Sequence, residues 1–421
     1  MGSIKSLEAL PEPVTLEKLY NKLIPAPQMA GNTEVFSMAK RWLILFVLFL
    51  ARTAMAFQFQ TIGAVGPILV DALKIDFVWL GTLIGLYMLP GTVFALPGGV
   101  LGQRFGAKNI VLVGLLLMTI GGVLTTLDVF SITASGRIIS GIGAVLINVV
   151  MTKMVTDWFA GREIVTAMSV FIASWPLGLA LGLISLPVVA MAWSWSAAMY
   201  VAASAAFICL ILVGLIYRDP PNSQAETSSD FRIAMTGREW LLISFAGLIW
   251  SAYNVGYIVL ISFMPELFTA RGYSLAEASR IVSLLGWVLI PSVPVSGYVA
   301  QQLNRPDLLM VAGFCMVAAA AAVLPFASNP GAIFTLVVLG IGLPAGIIMA
   351  LPAQAVRPEN RSVGMGVYFT FYYAGMALLP ALAGLARDLT DSPAATALYA
   401  SAMMGVALFG LFGFRTAQRK L

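Results

Sequence analysis

Histidine is absent from this 421-residue sequence, and cysteine occurs only twice, as Cys209 and Cys315. The two cysteines lie far apart, each inside an apolar run. The chain therefore lacks a disulfide framework and the Cys/His clusters that bind zinc. We predict no metal site and no cofactor.

Charged residues are also scarce. They make up 10% of the sequence, against 60% hydrophobic residues, and the mean hydropathy is +0.92. Soluble domains carry about 25% charged residues, so this composition indicates an integral membrane protein embedded in the lipid bilayer. The net charge of +5 comes from single basic residues scattered between apolar segments. This pattern is typical of a cytoplasmic membrane face, and we exclude nucleic acid as a partner.

Apolar segments long enough to cross a bilayer, ~17 to 25 residues, recur twelve times. They fall near residues 42–66, 77–100, 109–127, 130–152, 165–190, 195–217, 239–264, 275–300, 308–326, 331–352, 362–385 and 393–414. A polar linker, 218–238, divides them six and six. We predict an all-α membrane protein with twelve transmembrane helices in two six-helix halves, 41–217 and 239–414, between cytoplasmic tails 1–40 and 415–421.

Basic residues accumulate on one side of this predicted bundle. The tails and the loops after even-numbered segments hold eighteen of the 24 Lys and Arg residues. The loops after odd-numbered segments hold four, Lys74, Arg271, Arg280 and Arg387. We call these sides the even-loop side and the odd-loop side. Because cytoplasmic loops retain basic residues, we predict a cell-membrane protein, in the inner membrane if Gram-negative, with both termini cytoplasmic.

The two halves repeat each other in sequence. Residues 167–181 match residues 364–378 at a constant offset of 197 positions, and Gly141-Ile142-Gly143 is echoed by Gly340-Ile341-Gly342. Pseudo-symmetric halves of this kind place a binding site near the membrane midplane, at the interface between the repeats.

Arg52 lies in the middle of the first apolar segment. If the hydrocarbon begins near Trp42, Arg52 is about 15 Å deeper, at the centre of a core ~30 Å thick. A charge there costs from ~3 to more than ~10 kcal/mol, so it should face protein or water. No acidic residue falls inside the predicted hydrocarbon. An unpaired guanidinium at this depth predicts an anion as its counter-ion.

The loop between the second and third segments carries a motif. Gly99-Val100-Leu101-Gly102-Gln103-Arg104-Phe105-Gly106-Ala107-Lys108 resembles the loop signature of the major facilitator superfamily of secondary transporters. Gly99, Arg104, Gly106 and Lys108 fit, whereas Gln103 and Ala107 stand where the signature has Asp and Arg. The resemblance implies a gating role for this loop.

Two further stretches resemble the same superfamily. Arg137-Ile138-Ile139-Ser140-Gly141-Ile142-Gly143 is similar to its fourth-helix motif, and Trp175-Pro176-Leu177-Gly178 to its fifth-helix motif. Asp157-Trp158-Phe159-Ala160-Gly161-Arg162-Glu163, together with an arginine in the first helix, looks most like the cyanate-permease-like and organic anion branches. This resemblance implies a small anionic substrate and a gating role for Asp157.

Polar and aromatic residues on the first helix and on three others are further candidates for the binding site. Gln60 lies eight positions after Arg52 and shares its helix face. Arg137, in the fourth segment, lies closer to the odd-loop side. Helical spacing places further candidates on one face of the seventh segment and in the eleventh segment: Trp250, Tyr253, Asn254, Tyr257, Tyr372 and Tyr373.

These observations predict a monomeric secondary transporter of a small organic or inorganic anion, working by alternating access. The sequence contains no G-x-x-x-x-G-K-[ST] loop for ATP and no G-x-S-x-G elbow, so we predict neither direct ATP use nor enzymatic activity. Uniport, anion exchange and proton coupling all remain open. The tyrosines keep open an exporter of lipophilic or aromatic compounds, and a non-transporting membrane receptor is a further alternative.

Overall fold

The structure is a computed structural model that describes residues 29–159, 163–220, 235–357 and 360–420. It gives side chains for all of these except residues 29–39, 95–100, 103, 165, 301, 361–362 and 420. Leu45–Leu421 forms one compact unit and Met1–Ile44 another. The tail 1–28 and most of the linker predicted at 218–238 lie outside the described residues.

The described chain is built from α-helices. Their bounds in chain order are α1 Met29–Ala64, α2 Gly66–Leu73, α3 Phe77–Leu86, α4 Gly91–Phe105, α5 Ala107–Leu124, α6 Phe130–Phe159, α7 Ile164–Ala192, α8 Trp195–Ile216, α9 Gly237–Thr269, α10 Leu275–Leu303, α11 Pro306–Val323, α12 Pro330–Ile348, α13 Leu351–Ala355, α14 Arg361–Thr390 and α15 Ala394–Lys420. A short 3₁₀ turn, Leu324–Phe326, follows α11.

Twelve of the described segments are long and apolar enough to cross a membrane. α3 and the start of α4 form the second of them, α14 the eleventh and α15 the twelfth, and the six before the linker end with α8. This confirms the predicted fold class, an all-α membrane protein with twelve spanning helices. We call α1–α8 the first half and α9–α15 the second half.

The second segment is interrupted, whereas the hydropathy pattern predicts one continuous helix. α3 ends at Leu86, residues 87–90 form turns, and α4 begins at Gly91. The cause is Pro90, which has no N–H to donate to the carbonyl of Leu86 and whose ring crowds the preceding turn. The break directs Tyr87 into the first half, where it is buried.

Local sequence signals fix several helix starts. At α9, the Thr236 hydroxyl accepts from the Glu239 amide while the Glu239 carboxylate accepts from the Thr236 amide, which is a complete capping box. Ser194 caps α8 by accepting from the amide of Ala197. Both caps satisfy amides that lack an acceptor within their own helix.

Several helix pairs join the two halves in the unit Leu45–Leu421, and α1 also reaches α9 through a hydrogen bond from Gln60 to the carbonyl of Ile261. α3 packs on α14, α7 on α10, α4 on α14 and α2 on α9. Within the second half, α9 also packs against α14 and α15. α1, α9 and α14 therefore supply side chains to the region between the halves, where the candidate site is found.

Candidate binding site between the two halves

Arg52 is held in place by neutral groups of two neighbouring helices. Its Nε donates to the side-chain oxygen of Asn148 on α6 at 3.1 Å, and its Nη1 donates to the main-chain carbonyl of Phe171 on α7 at 3.0 Å. The guanidinium carbon lies 4.8 Å from the centre of the Phe171 ring. These contacts aim the side chain without neutralising its charge.

Much of the hydrogen-bonding capacity of Arg52 is unused. A guanidinium carries five N–H donors, and the two bonds above use only the Nε–H and one Nη1–H. Nη2 has no acceptor among the described residues, yet it is not fully enclosed. Arg52 as a whole is half-buried. The free edge of the guanidinium is therefore accessible to a ligand.

The second half supplies two phenols near this charge. Tyr372 and Tyr373 on α14 both lie near Arg52, and the Tyr373 hydroxyl lies near the Asn148 side chain. The rings of Tyr372 and Tyr373 meet edge to face at 5.0 Å between centroids. Arg52 from the first half and a tyrosine pair from the second half thus lie near each other.

An aromatic cluster extends from Tyr372 into the second half. The Trp250 ring lies 5.8 Å from Tyr253, 6.1 Å from Tyr368 and 6.1 Å from Tyr372, measured between centroids. The Tyr253 hydroxyl donates to the carbonyl of Ile341 on α12 at 2.7 Å. Trp250 Nε1 is buried and has no acceptor within the described part of the chain. The cluster connects the Arg52 region to a ring surface with an unused N–H donor.

Among the other predicted residues of α1 and α9, Gln60 and Tyr257 are buried and Asn254 is half-buried. Gln60 Nε2 donates to the carbonyl of Ile261 at 3.4 Å, so Gln60 contacts α9 across the halves. Asn254 Nδ2 donates to the carbonyl of Trp250 at 2.8 Å. Tyr257 is 3% exposed, and its hydroxyl, like Gln60 Oε1, has no partner among described residues. Gln60 and Tyr257 keep unused polar atoms at the same interface.

Arg137 lies in a different environment from Arg52. It is 1% exposed, its ring-stacking partner is Tyr87, at 4.5 Å from the guanidinium carbon, and it donates to three main-chain carbonyls. These carbonyls are those of Leu83 at 2.9 Å, Gln58 at 3.1 Å and Phe59 at 3.1 Å. The side chain joins α6 to α1 and α3. In this structure it presents no accessible surface to a ligand, although the sequence suggested a substrate contact.

The loop motif lies at the junction of α4 and α5. Lys108 Nζ donates to the carbonyls of Gly214 at 2.8 Å and Tyr217 at 2.9 Å, and so caps the carboxyl end of α8. Gly106 has φ +86°, a conformation that disfavours any residue with a Cβ. Arg104 is exposed, and its guanidinium carbon lies 5.5 Å from the centre of the Phe105 ring. The surroundings of Gly99 and the Gln103 side chain lie outside the described residues.

Asp157, the remaining predicted gating residue, lies near the even-loop end of α6. Its carboxylate pairs with Lys153 one helical turn earlier, at 2.6 Å, and both side chains are partly exposed. The pair belongs to a single helix, and residues 160–162 of the motif that contains it lie outside the described residues.

Asn148 and Tyr368 are the site residues that sequence reasoning missed. A signal for Asn148 exists, because it falls eleven positions after Arg137 and therefore on the same face of α6, three turns further on. Tyr368 precedes Tyr372 by one turn, the spacing that places two rings on one helix face. The Phe171 carbonyl left no signal, since every residue carries one.

The chain belongs to the Major Facilitator Superfamily, whose family model matches residues 45–380. It is therefore a secondary transporter of a small solute, in a superfamily of transporters rather than enzymes. The superfamily that the loop motif suggested is confirmed.

Individual relatives agree with this assignment. The chain is 26% identical over 414 residues to the hexuronate transporter of Bacillus subtilis (strain 168), covering 89% of this chain and 94% of that protein. It is 26% identical over 373 residues to the cyanate transport protein CynX of Escherichia coli (strain K12), covering 83% and 91%. A solved bacterial homologue of the human lysosomal transporter Spinster superposes with a TM-score of 0.71 at 16% identity, covering 90% of this chain and 97% of that one.

Proposed function

We propose that this protein carries a small organic or inorganic anion across the membrane by alternating access, with Arg52 as the anion-binding charge near the midplane. The observation that carries the proposal is the set of partners around Arg52. Both hydrogen-bond acceptors are neutral, and no carboxylate pairs with Arg52 among the described residues. A buried charge without a counter-ion is costly, and a bound anion removes that cost.

The free edge of the guanidinium suits an oxyanion. The unused N–H groups lie on Nη1 and Nη2, the two terminal nitrogens of the guanidinium. Together they form a planar fork that matches the two oxygens of a carboxylate. Asn148 fixes the opposite edge through Nε, so the fork is oriented before the ligand arrives. Preorganisation of this kind lowers the entropy lost on binding.

The position of the site supports alternating access. Arg52, Asn148 and Phe171 belong to the first half, whereas Tyr372 and Tyr373 belong to the second. A ligand held by both halves can be exposed to either side when the halves rock about it. The names of two relatives, a hexuronate transporter and a cyanate transport protein, both designate anions. We also propose that the even-loop side is cytoplasmic and that the protein works as a monomer.

The aromatic cluster favours a second candidate, an exporter of lipophilic or aromatic compounds. Trp250, Tyr253, Tyr368 and Tyr372 form a continuous set of rings with an unpaired indole N–H. Such a surface stacks on flat aromatic ligands. In this reading Arg52 would contribute little to affinity.

A binding panel distinguishes the two candidates. Purified protein is heated with cyanate, a hexuronate, short monocarboxylates and neutral aromatic compounds, because a ligand of the folded state raises the melting temperature. We expect an anion to stabilise the wild type. Arg52→Gln should weaken that anion's binding by roughly 30-fold or more, the cost of removing one partner of a buried charged pair.

Two further variants serve as controls for this panel. Arg52→Lys keeps the charge but not the fork and should recover only part of the affinity. Arg280→Gln makes the same chemical change at an exposed position of α10 and should bind as the wild type does. Unchanged anion affinity in Arg52→Gln, or stabilisation by neutral aromatic compounds alone, would reject the anion site and favour the exporter.

A further inference from the structure

The amino end of α3 is capped by a carboxylate from the other half of the protein. Asp388, near the end of α14, accepts from the amide of Phe77 at 3.0 Å through Oδ1 and from the amide of Val78 at 2.7 Å through Oδ2. The first amides of a helix have no acceptor within that helix. Asp76, the residue at the N-cap position of α3, makes no side-chain cap bond. α3 therefore depends on a residue more than 300 positions away for its cap.

Neighbouring charges hold this end of α14 in place. Arg387 pairs with Glu266 on α9 at 2.9 Å and with Asp391 at 2.8 Å. Its guanidinium carbon also lies 4.5 Å from the centre of the Phe77 ring. The Glu266 side chain is 10% exposed, whereas that of Asp391 is 96% exposed. The bond to α9 is thus the sheltered one, and it ties the residue next to Asp388 to α9.

Backbones of α3 and α14 touch directly behind the cap. A Cβ added at Gly85 would collide with the carbonyl of Ala377, and one added at Gly81 would collide with the carbonyl of Pro380. Contact this close requires that the two helices lie together over at least one full turn. On the odd-loop side, α3 and α14 are therefore closed against each other in this structure.

A transporter that works by rocking its halves must separate this contact in every cycle. We propose that Asp388 is a detachable cap: bonded to α3 it holds the odd-loop side shut, and released it lets that side open. Once the halves part on this side, water can reach the start of α3 and replace the carboxylate, so release leaves no amide unsatisfied. The cap is therefore strong enough to bias the closed state and still reversible.

This inference uses the alternating-access part of the proposed function but not the identity of the solute. Its test measures the separation of the halves without any ligand. Failure of the anion site would leave the result intact, and failure of the cap would leave anion binding at Arg52 intact.

The test measures a distance between the halves on the odd-loop side. Cys209 and Cys315 are first replaced by alanine, and spin labels are attached through Ala72→Cys on α2 and Ala270→Cys at the end of α9, both exposed positions. α2 and α9 are neighbours across the halves. Electron–electron double resonance in lipid nanodiscs then reports the population of short and long distances.

We expect the wild type to show mainly the short distance. Asp388→Ala should raise the long-distance population by about tenfold or more, since it removes two hydrogen bonds to a charged acceptor. Asp388→Asn keeps one acceptor oxygen and should give an intermediate population. Folding of each variant is checked by size-exclusion chromatography, and Asp388→Asn is used for the comparison if Asp388→Ala does not fold.

The matched control is Asp128→Asn, which makes the same charge change at an exposed position between α5 and α6 on the odd-loop side. It should leave the distance distribution as in the wild type. Equal distributions in Asp388→Asn and the wild type, or an equal shift in Asp128→Asn, would overturn the proposal.

Discussion

Arg52 and Arg137 are both arginines inside apolar helices, but their surroundings give them different roles. Arg137 has three main-chain carbonyls and the Tyr87 ring around it and is 1% exposed. Arg52 has two neutral acceptors and an accessible edge. We propose that Arg137 fastens α6 to α1 and α3, and that Arg52 binds the solute.

Arg137→Gln tests this division of roles. Loss of the guanidinium leaves carbonyls without their donor, and we expect the free energy of unfolding to fall by about 1–3 kcal/mol. The free energy of unfolding of Arg137→Lys should lie between those of Arg137→Gln and the wild type, because an ammonium cannot bond three carbonyls as a planar fork does. Thermal unfolding in detergent checks the loss. An unchanged melting temperature, or a folded Arg137→Gln protein that no longer binds the wild-type ligand, would contradict it.

The sequence predicted a binding role for Arg52 from its depth alone, since a charge at the centre of an apolar segment is costly unless it faces protein or water. It did not relate Arg52 to the groups that orient it, although Asn148 shares a helix face with Arg137. Asn148 and Phe171 follow Arg52 by 96 and 119 positions, and no local pattern relates them to it. Such partners depend on how α1, α6 and α7 pack.

At the scale of helices, α3 and α14 pack closely against each other across the two halves. Pro90 ends the helical geometry after α3, and the cap from Asp388 fixes its start. Hydropathy predicted a single segment over 77–100 because Pro90 is itself apolar and does not interrupt the run. The break is a backbone effect, visible only through the missing N–H of proline.

Gly85→Val tests the close approach of these two helices. The added side chain would collide with the Ala377 carbonyl, so α3 and α14 could not close, at a cost of about 1–3 kcal/mol to the closed state. We expect a folded protein that binds its solute but transports it poorly, measured by uptake into proteoliposomes. Gly405→Val, where a Cβ meets nothing within 4 Å, is the matched control and should transport normally. Normal transport by Gly85→Val would show that this contact is not needed.

At the scale of the whole molecule, the twelve spanning helices were predictable because the length and apolar composition of each segment indicate that it can cross a bilayer. The polar linker 218–238 predicted the division into halves, and the repeat at an offset of 197 positions showed that the halves resemble each other. Contacts between halves were not predictable in the same way. Gln60 reaches Ile261, and Asp388 reaches Phe77, over 201 and 311 positions. Apolar patterning indicates that a face is buried but not which helix covers it.

The central claim is that Arg52 lacks a counter-ion until the solute arrives. Asn148→Asp tests it most directly, because the change is nearly isosteric and places a carboxylate at the atom that now accepts from Arg52 Nε at 3.1 Å. Binding of the anion that stabilises the wild type is measured by calorimetric titration, with Asn148→Ala as the control for loss of the amide. We predict that Asn148→Asp weakens anion binding by about 10- to 100-fold, since the new carboxylate competes with the anion for the charge of Arg52. The anion affinity of Asn148→Ala should stay much closer to that of the wild type. Wild-type anion affinity in Asn148→Asp would contradict the claim.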